Sequence, residues 1–253
     1  MFKSIFGSNI PSLLRTRTRT QEIMDDLTLD EKSLDQALLG LKRINSFSLT
    51  GLFISREIKR NTPPDTPLSI IDVACGSGDL LNYLRRSLKT YHLTRLAGCD
   101  INQKTINLAK SKYALKTAPS INFVTHDILN SSSEFLLSPE TKQKYNIATC
   151  SLFLHHLSVE EVKTLITKLN EIAETIIISD LRRDFCGYFL SIIGTRILSR
   201  SRVVHFDGPA SVLQAFTIME LKNILDEICP ENYQIKKHWP FRLLVTINMS
   251  DKC

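Results

Sequence analysis

The stretch Ile70-Ile-Asp-Val-Ala-Cys-Gly-Ser-Gly-Asp79 runs from an apolar segment into a loop of small residues. Gly76 and Gly78 let a backbone approach a ligand closely, and a helix opening at Asp79 offers free N–H groups. Two familiar readings of such a loop fail. A dinucleotide fingerprint needs a third glycine where this chain has Leu81. A phosphate-binding P-loop needs Gly-Lys-Ser/Thr, and Asp79 follows Gly78 instead, where it would repel phosphate. The loop therefore suits a ligand that is not rich in phosphate. Asp72, Ala74, Cys75 and Ser77 are candidate contacts beside the two glycines.

Two acids fall at the ends of the next apolar runs. Asp100, followed by Ile101, can accept both hydroxyls of a ribose, or it can cap the helix that follows. Asp127, followed by Ile128, can accept an adenine amino group while Ile128 packs on the ring, or it can be a turn residue.

A fourth segment, Tyr145–Leu157, carries Ser151, His155 and His156. The histidines sit just before Ser158-Val-Glu-Glu161, a capping-box pattern that opens a helix. One of them could act as a general base, since an unperturbed imidazole titrates near neutrality; each could equally pack beneath a cofactor. Arg182 and Arg183 could orient an anionic or phenolic oxygen, or could be solvated or ion-paired surface residues. His205 is a further candidate base, with Asp207 two residues on. Cys75, Cys99 and Cys150 read as small packing residues rather than nucleophiles. No Cys/His cluster has metal-ligand spacing, so no metal is expected.

These residues need a scaffold. Apolar runs at Leu68–Ala74, Arg95–Asp100, Ile121–Thr125, Tyr145–Cys150 and Thr175–Asp180 alternate with helical patterns at Asp79–Leu88, Gln103–Leu115 and Val159–Ala173. That alternation predicts an α/β fold with a parallel sheet covered on both faces. A helix at Ile218–Ile228 and strands at Tyr233–Lys237 and Arg242–Ile247 complete it. Residues 21–60 read as helical, through Leu34, Leu38, Leu41, Ile44 and Phe47, although Gly40 interrupts the pattern. Asn61–Pro67, with three prolines, must end that helix. The expected organisation is an N-terminal arm and helical cap over residues 1–62, with residues 1–20 poorly ordered, and a core over 63–253. Residues 181–215 interrupt the core as a lid with a helical start and a loop around His205–Pro209. Phe185, Tyr188, Phe189, Ile192 and Ile193 are expected to turn an apolar face to an acceptor pocket.

Taken together, these motifs resemble the class I S-adenosylmethionine-dependent methyltransferases over about residues 68–180. The resemblance implies a Rossmann-like sheet of seven strands, mostly parallel with an antiparallel last strand. It also implies S-adenosyl-L-methionine as cofactor, with Asp100 on the ribose and Asp127 on the adenine. Where the family often has a first glycine this chain has Ala74, which serves there if its φ is negative. Met24-Asp-Asp-Leu, Ile178–Arg183, His205–Leu213 and Trp239–Arg242 are similar to a narrower group, the ubiquinone/menaquinone biosynthesis methyltransferase-like proteins associated with type III polyketide synthases.

Composition bounds the rest. The chain has 253 residues, 43% hydrophobic and 23% charged, with a net charge of +6 and six scattered cysteines. A disordered or disulfide-scaffold protein is excluded. No apolar run is long enough to span a membrane, no leader pattern is apparent, and a reducing cytoplasmic location is expected. The basic residues form no long run, so nucleic acid is not an expected partner; Arg196, Arg200 and Arg202 near the apolar segment allow a weak membrane-surface contact. The expected function is methyl transfer to a small, partly apolar aromatic acceptor, of phenolic, quinol or polyketide type, on oxygen or carbon. The alternatives are an RNA or protein methyltransferase and a non-catalytic cofactor-binding module on the same fold.

Overall fold

The computed structural model describes residues 14–26, 28–114, 119–138 and 141–248. Its centre is a seven-stranded sheet in the order β3-β2-β1-β4-β5-β7-β6. The strands are β1 (Leu68–Val73), β2 (Leu93–Asp100), β3 (Ile121–Thr125), β4 (Tyr145–Ser151), β5 (Ala173–Leu181), β6 (Tyr233–His238) and β7 (Arg242–Asn248). Strands β1 to β5 pair in parallel, and β7 runs antiparallel to both β5 and β6. β7 is thus the one reversed strand, as expected. β1 is buried at every position, which explains its unbroken apolar character.

Helices cover both faces. On one side Ile71, Val73, Ile176 and Ile178 of the sheet pack against α5 (Val159–Ile172) and α8 (Ile218–Ile228). On the other, Leu68, Ile70, Leu96 and Ile121 pack against α2 (Thr50–Asn61), α3 (Asp79–Ser87) and α4 (Gln103–Ala109). α5 begins in a capping box in which Ser158 and Glu161 each accept from the other's backbone N–H. That box fixes where the loop bearing His155 and His156 must end.

The single helical pattern of residues 21–60 is divided. A 3-10 turn (Ile23–Asp25) precedes α1 (Glu31–Phe47), and the chain bends at Leu49, whose φ of 55° is left-handed, before α2. Buried Ser48 and Thr50 hydroxyls bond each other at 2.9 Å across the bend. Gly40 lies inside α1 because α1 crosses the chain at Ser199 there: a Cβ would fall 2.2 Å from Ser199 Oγ.

Residues 181–215 also differ from expectation. They form two helices, α6 (Phe185–Leu198) and α7 (Arg202–Gln214), and the segment His205–Pro209 lies inside α7 rather than in a loop. Pro209 forgoes one helical hydrogen bond. The residues it flanks gain a common face instead, since Asp207, Ser211 and Gln214 recur at spacings of four and three.

That face holds down part of the arm. Residues 1–13 lie outside the described residues, but 14–26 are packed rather than loose. Asp207 accepts from the N–H groups of Ile23 at 2.9 Å and Met24 at 3.0 Å. Ser211 Oγ and Gln214 Nε2 donate to Glu22 Oε1 at 2.6 and 3.0 Å.

Among the described residues, no helix is long and apolar enough to cross a membrane.

Candidate functional site

The carboxyl ends of β1, β2, β3, β4 and β5 open into one cavity of about 1240 Å³. Its wall includes Ala74, Cys75, Gly76, Ser77, Asp100, Ile101, Asp127, Ile128 and Ser151 at one end, and His155, His156 and Arg182 at the other. An open α/β sheet places its ligand at this edge. Ligand pockets commonly measure ~300–1,000 Å³, so this space exceeds what one ligand needs.

The glycine loop is clamped by Asp100. Gly76 N–H donates to Asp100 Oδ2 at 2.8 Å, while Asn102 N–H donates to Oδ1 at 2.9 Å. Burial raises the Asp100 pKa, and these amide bonds partly counter the rise. Gly76 has φ of 50°, and a Cβ built there would meet nothing within 4 Å, so its backbone looks straight into the cavity. Gly78 plays a different part. It sits behind the wall with φ of 75°, and a Cβ there would lie 2.6 Å from the Phe123 ring. Glycine at 78 is needed for helix α3 to pack closely on β3, not for contact with a ligand. Asp72 is also behind the wall. It is 1% exposed, accepts from Thr149 Oγ1 at 2.7 Å, and burial pushes its pKa up to about 7.

Ala74 carries a correction. Its φ is +56°, not negative, so it occupies the left-handed region with a Cβ attached. The strand turns sharply into the loop there, and Cys75 N–H bonds Cys99 O at 3.0 Å to fix the turn.

Asp127 acts first as a turn residue. It accepts from Leu129 N–H (3.0 Å), Asn130 N–H (3.2 Å) and Asn130 Nδ2 (2.9 Å). Burial would raise its pKa, but the bonds from Asn130 and Leu129 outweigh this and hold it below the usual range. Neighbouring His126, not singled out in the sequence, has a buried Nε2 with no partner and lines the same cavity. It stacks on Phe135 with ring centroids 5.8 Å apart.

At the far end, His155 is 3% exposed. Its Nδ1 lies 2.7 Å from Asp180 Oδ1, and Asp180 also accepts from the N–H groups of Phe153 and Leu181. Burial would raise the Asp180 pKa, but the His155 imidazole and these donors overcome it and keep the group depressed. An ionised Asp180 only accepts, so His155 Nδ1–H donates to it, and Nε2 faces Glu22 Oε1, 3.6 Å away. His156, its ring centroid 4.2 Å from that of His155, places Nε2 4.0 Å from Glu22 Oε2. The structure brings together a group of possible ligands that spacing in the sequence does not suggest. Glu22, His155 and His156 bring their ligand atoms within 4.8 Å of one another. Spacing in the sequence could not show this, because Glu22 arrives from the N-terminal segment.

That segment also straps the histidine turn. Arg17 donates to His155 O at 2.7 Å and to Gln214 O, and its guanidinium lies 3.8 Å over the Phe216 ring. Arg19 donates to His156 O at 3.2 Å.

The remaining candidates separate. Arg182 lines the cavity and pairs with Asp184 at 3.1 Å. Arg183 turns away and is buried, bonding Leu14 O, Ala215 O and Glu220. His205 lies outside the cavity wall. Its Nε2 is 2.8 Å from Ser199 O and ties the turn between α6 and α7, so the geometry gives it no access to a ligand. Arg242 is 2% exposed yet lines the cavity, bonded to Thr50 and Asn45; burial lowers its pKa to about 10. Burial raises the thiols of Cys75, Cys99 (to about 12) and Cys150, as packing residues require.

Helices α6 and α7 do roof the cavity, but α6 does so with a different face from the one expected. Gly187, Leu190, Ser191, Gly194, Thr195 and Leu198 line it, whereas Phe185 and Ile193 are exposed. α1 adds Leu34, Leu38 and Leu41.

Residues 70–174 match a protein family described as a methyltransferase domain. No curated protein sequence matches the chain. Among solved structures, the chain is similar to the plantazolicin methyltransferase BpumL in complex with SAH, at 18% identity and a TM-score of 0.55, over 86% of this chain and 85% of that one. It is also similar to magnesium protoporphyrin IX methyltransferase from Synechocystis PCC 6803 with bound SAH, at 17% identity and a TM-score of 0.53, over 98% and 97% of the two chains. The sheet and its helices thus have the Rossmann-like fold of these methyltransferases.

Proposed function

We propose that the chain transfers a methyl group from S-adenosyl-L-methionine to a small-molecule acceptor of phenolic, quinol or polyketide type, on oxygen or on an activated ring carbon. The observation that carries this reading is one cavity that runs from the glycine loop to the space roofed by α1, α6 and α7. The matched methyltransferase domain spans the cofactor end of that cavity. The two solved relatives are named for plantazolicin and magnesium protoporphyrin IX.

The residues present fit the cofactor. Gly76 opens onto empty space, and His126 Nε2 is a buried polar atom awaiting a partner on the same wall. Gly76, Ser77, Asp100, Ile101, Asp127, Ile128 and Ser151 would hold it, with His126 near the Asp127 end. When bound, it supplies a methyl group already activated by the adjacent sulfonium charge. The chain's own task is to orient the acceptor and exclude water. Leu34, Leu38, Leu41, Leu190 and Leu198 offer an apolar bed for its body. Arg182 and His156, both at the cavity wall, are placed to receive its one ionisable oxygen. His155, held between Asp180 and Glu22, sets the position of His156 beside it.

A panel of phenols, resorcinols and quinols, offered with labelled cofactor, tests the acceptor class. At least one should be methylated. Arg182→Ala should mainly raise the acceptor KM, and His156→Ala should lower kcat while leaving cofactor affinity nearly intact. The reading fails if the whole panel stays unlabelled while a carboxylate, amine or thiol acceptor turns over.

A further inference from the structure

The polar end of the cavity gathers two imidazoles and one carboxylate, those of His155, His156 and Glu22. Asp180 Oδ1 lies 2.7 Å from His155 Nδ1, so the other ring nitrogen, Nε2, is the one that faces Glu22 Oε1, across 3.6 Å. Glu22 Oε1 also accepts from Ser211 and Gln214, which fixes its position opposite that nitrogen.

We propose that Glu22, His155 and His156 form a binding site for a first-row divalent cation of the zinc, manganese or iron class. Three observations converge on this. The first is donor chemistry: two imidazoles and one carboxylate suit these ions. The second is spacing. Ligand atoms around one tetrahedral ion stand about 3.4 Å apart for metal–ligand bonds of ~2.1 Å. The observed gaps of 3.6 and 4.0 Å, and 4.8 Å as the upper bound for all pairs, close to that value with side-chain shifts of under about an ångström. The third is support behind the ligands. A carboxylate on the far ring nitrogen, as Asp180 provides for His155, is the usual means of fixing a metal-binding imidazole. Ser211 and Gln214 do the same for Glu22.

The site has three protein ligands and an open side. His155 and Glu22 are buried, while the His156 side chain is 23% exposed at the cavity wall. Three ligands with a free position is the arrangement that admits an outside oxygen. A cation here would therefore draw an anionic oxygen of the acceptor to the roofed end of the cavity. The binding of the ion stands whatever acceptor is methylated; its use in holding a phenolate rests on the function proposed above.

The test uses the full chain, stripped with a chelator and titrated with Co²⁺ as a visible probe and with Zn²⁺ by calorimetry. A ligand-field band saturating at one ion per chain is expected. Glu22→Gln and His156→Ala should each weaken binding at least about tenfold, the scale of losing a ligand or its support. His156 is the most exposed ligand, so its variant keeps the test readable if Glu22→Gln fails to fold. S-Adenosylhomocysteine binding, measured in parallel, reports folding and the cofactor site independently of the metal. The proposal is overturned if no band forms in a protein that still binds S-adenosylhomocysteine, or if both variants bind Co²⁺ as the parent does. A panel of unmethylated phenols alongside intact Co²⁺ binding would instead count against the acceptor class alone.

Discussion

Asp207 accepts hydrogen bonds from two successive backbone amides, those of Ile23 and Met24, 184 and 183 residues earlier in the chain. The carboxylate works as a cap for the 3-10 turn at Ile23–Asp25, supplied from a distant helix. Asp207→Ala should release that turn and with it Glu22. A loss of about 1.5–3 kcal/mol in unfolding free energy is expected, the range for hydrogen bonds to a charged group. Hydrogen exchange at Ile23 and Met24 should accelerate much more than exchange in β1 or β4. Uniform acceleration across the sheet would contradict a local anchoring role.

Ala74 holds a left-handed backbone with a side chain that disfavours it. Glycine removes that penalty, so Ala74→Gly should stabilise the protein by about 1 kcal/mol, less the added freedom of the unfolded chain. Urea unfolding with an unchanged slope and a higher midpoint is the expected result.

Asp100→Ala should weaken S-adenosylhomocysteine binding by ~1–3 kcal/mol, through loss of the carboxylate and of its clamp on Gly76. Asp127→Ala should cost less, because three of its acceptor positions already serve its own turn. Calorimetry showing equal affinity for parent and Asp100→Ala would remove Asp100 from the cofactor site.

Asp72 makes stability depend on pH. Its folded pKa of about 7 lies above the ordinary 3.8, so the folded state holds the proton more tightly than the unfolded chain does. Its contribution is therefore most favourable below pH 4, declines as pH rises from about 4 to about 7, and is flat above that. Asp72→Asn keeps an acceptor for Thr149 and removes the titration. The variant should gain on the parent as pH rises through that window, measured by denaturation at several pH values. Parallel pH profiles would show that Asp72 is ionised in the fold.

The glycine-loop half of the cavity is legible in the sequence because its residues are local. Asp100 and Ser151 end strands, Gly76 and Asp127 follow strands by two or three residues, and parallel pairing brings strand ends to one edge automatically. The opposite half is not, because Glu22, His155, Asp180 and Gln214 share no spacing and meet only through tertiary packing. Helix α6 misled for another reason. It is apolar nearly all round, so its pattern does not say which face turns inward, and the small residues Gly187 and Gly194 rather than the aromatics admit the cavity. His205 looked exposed to chemistry because Gly208 and Pro209 suggested a loop; instead the helix runs through them.

The strap from Arg17 to Gln214 closes a span of 197 residues. At ~5–20 residues per second, about 10–40 s of synthesis separate the two partners. During that time the nascent chain has no α7 for Glu22 and Arg17 to grip, while β1 to β4 can already pair. The sheet edge that would receive the cofactor therefore takes shape before its roofed end does. The segment that carries Arg17 and Glu22 is made before the sheet, yet it cannot complete its docking until α7 has been added.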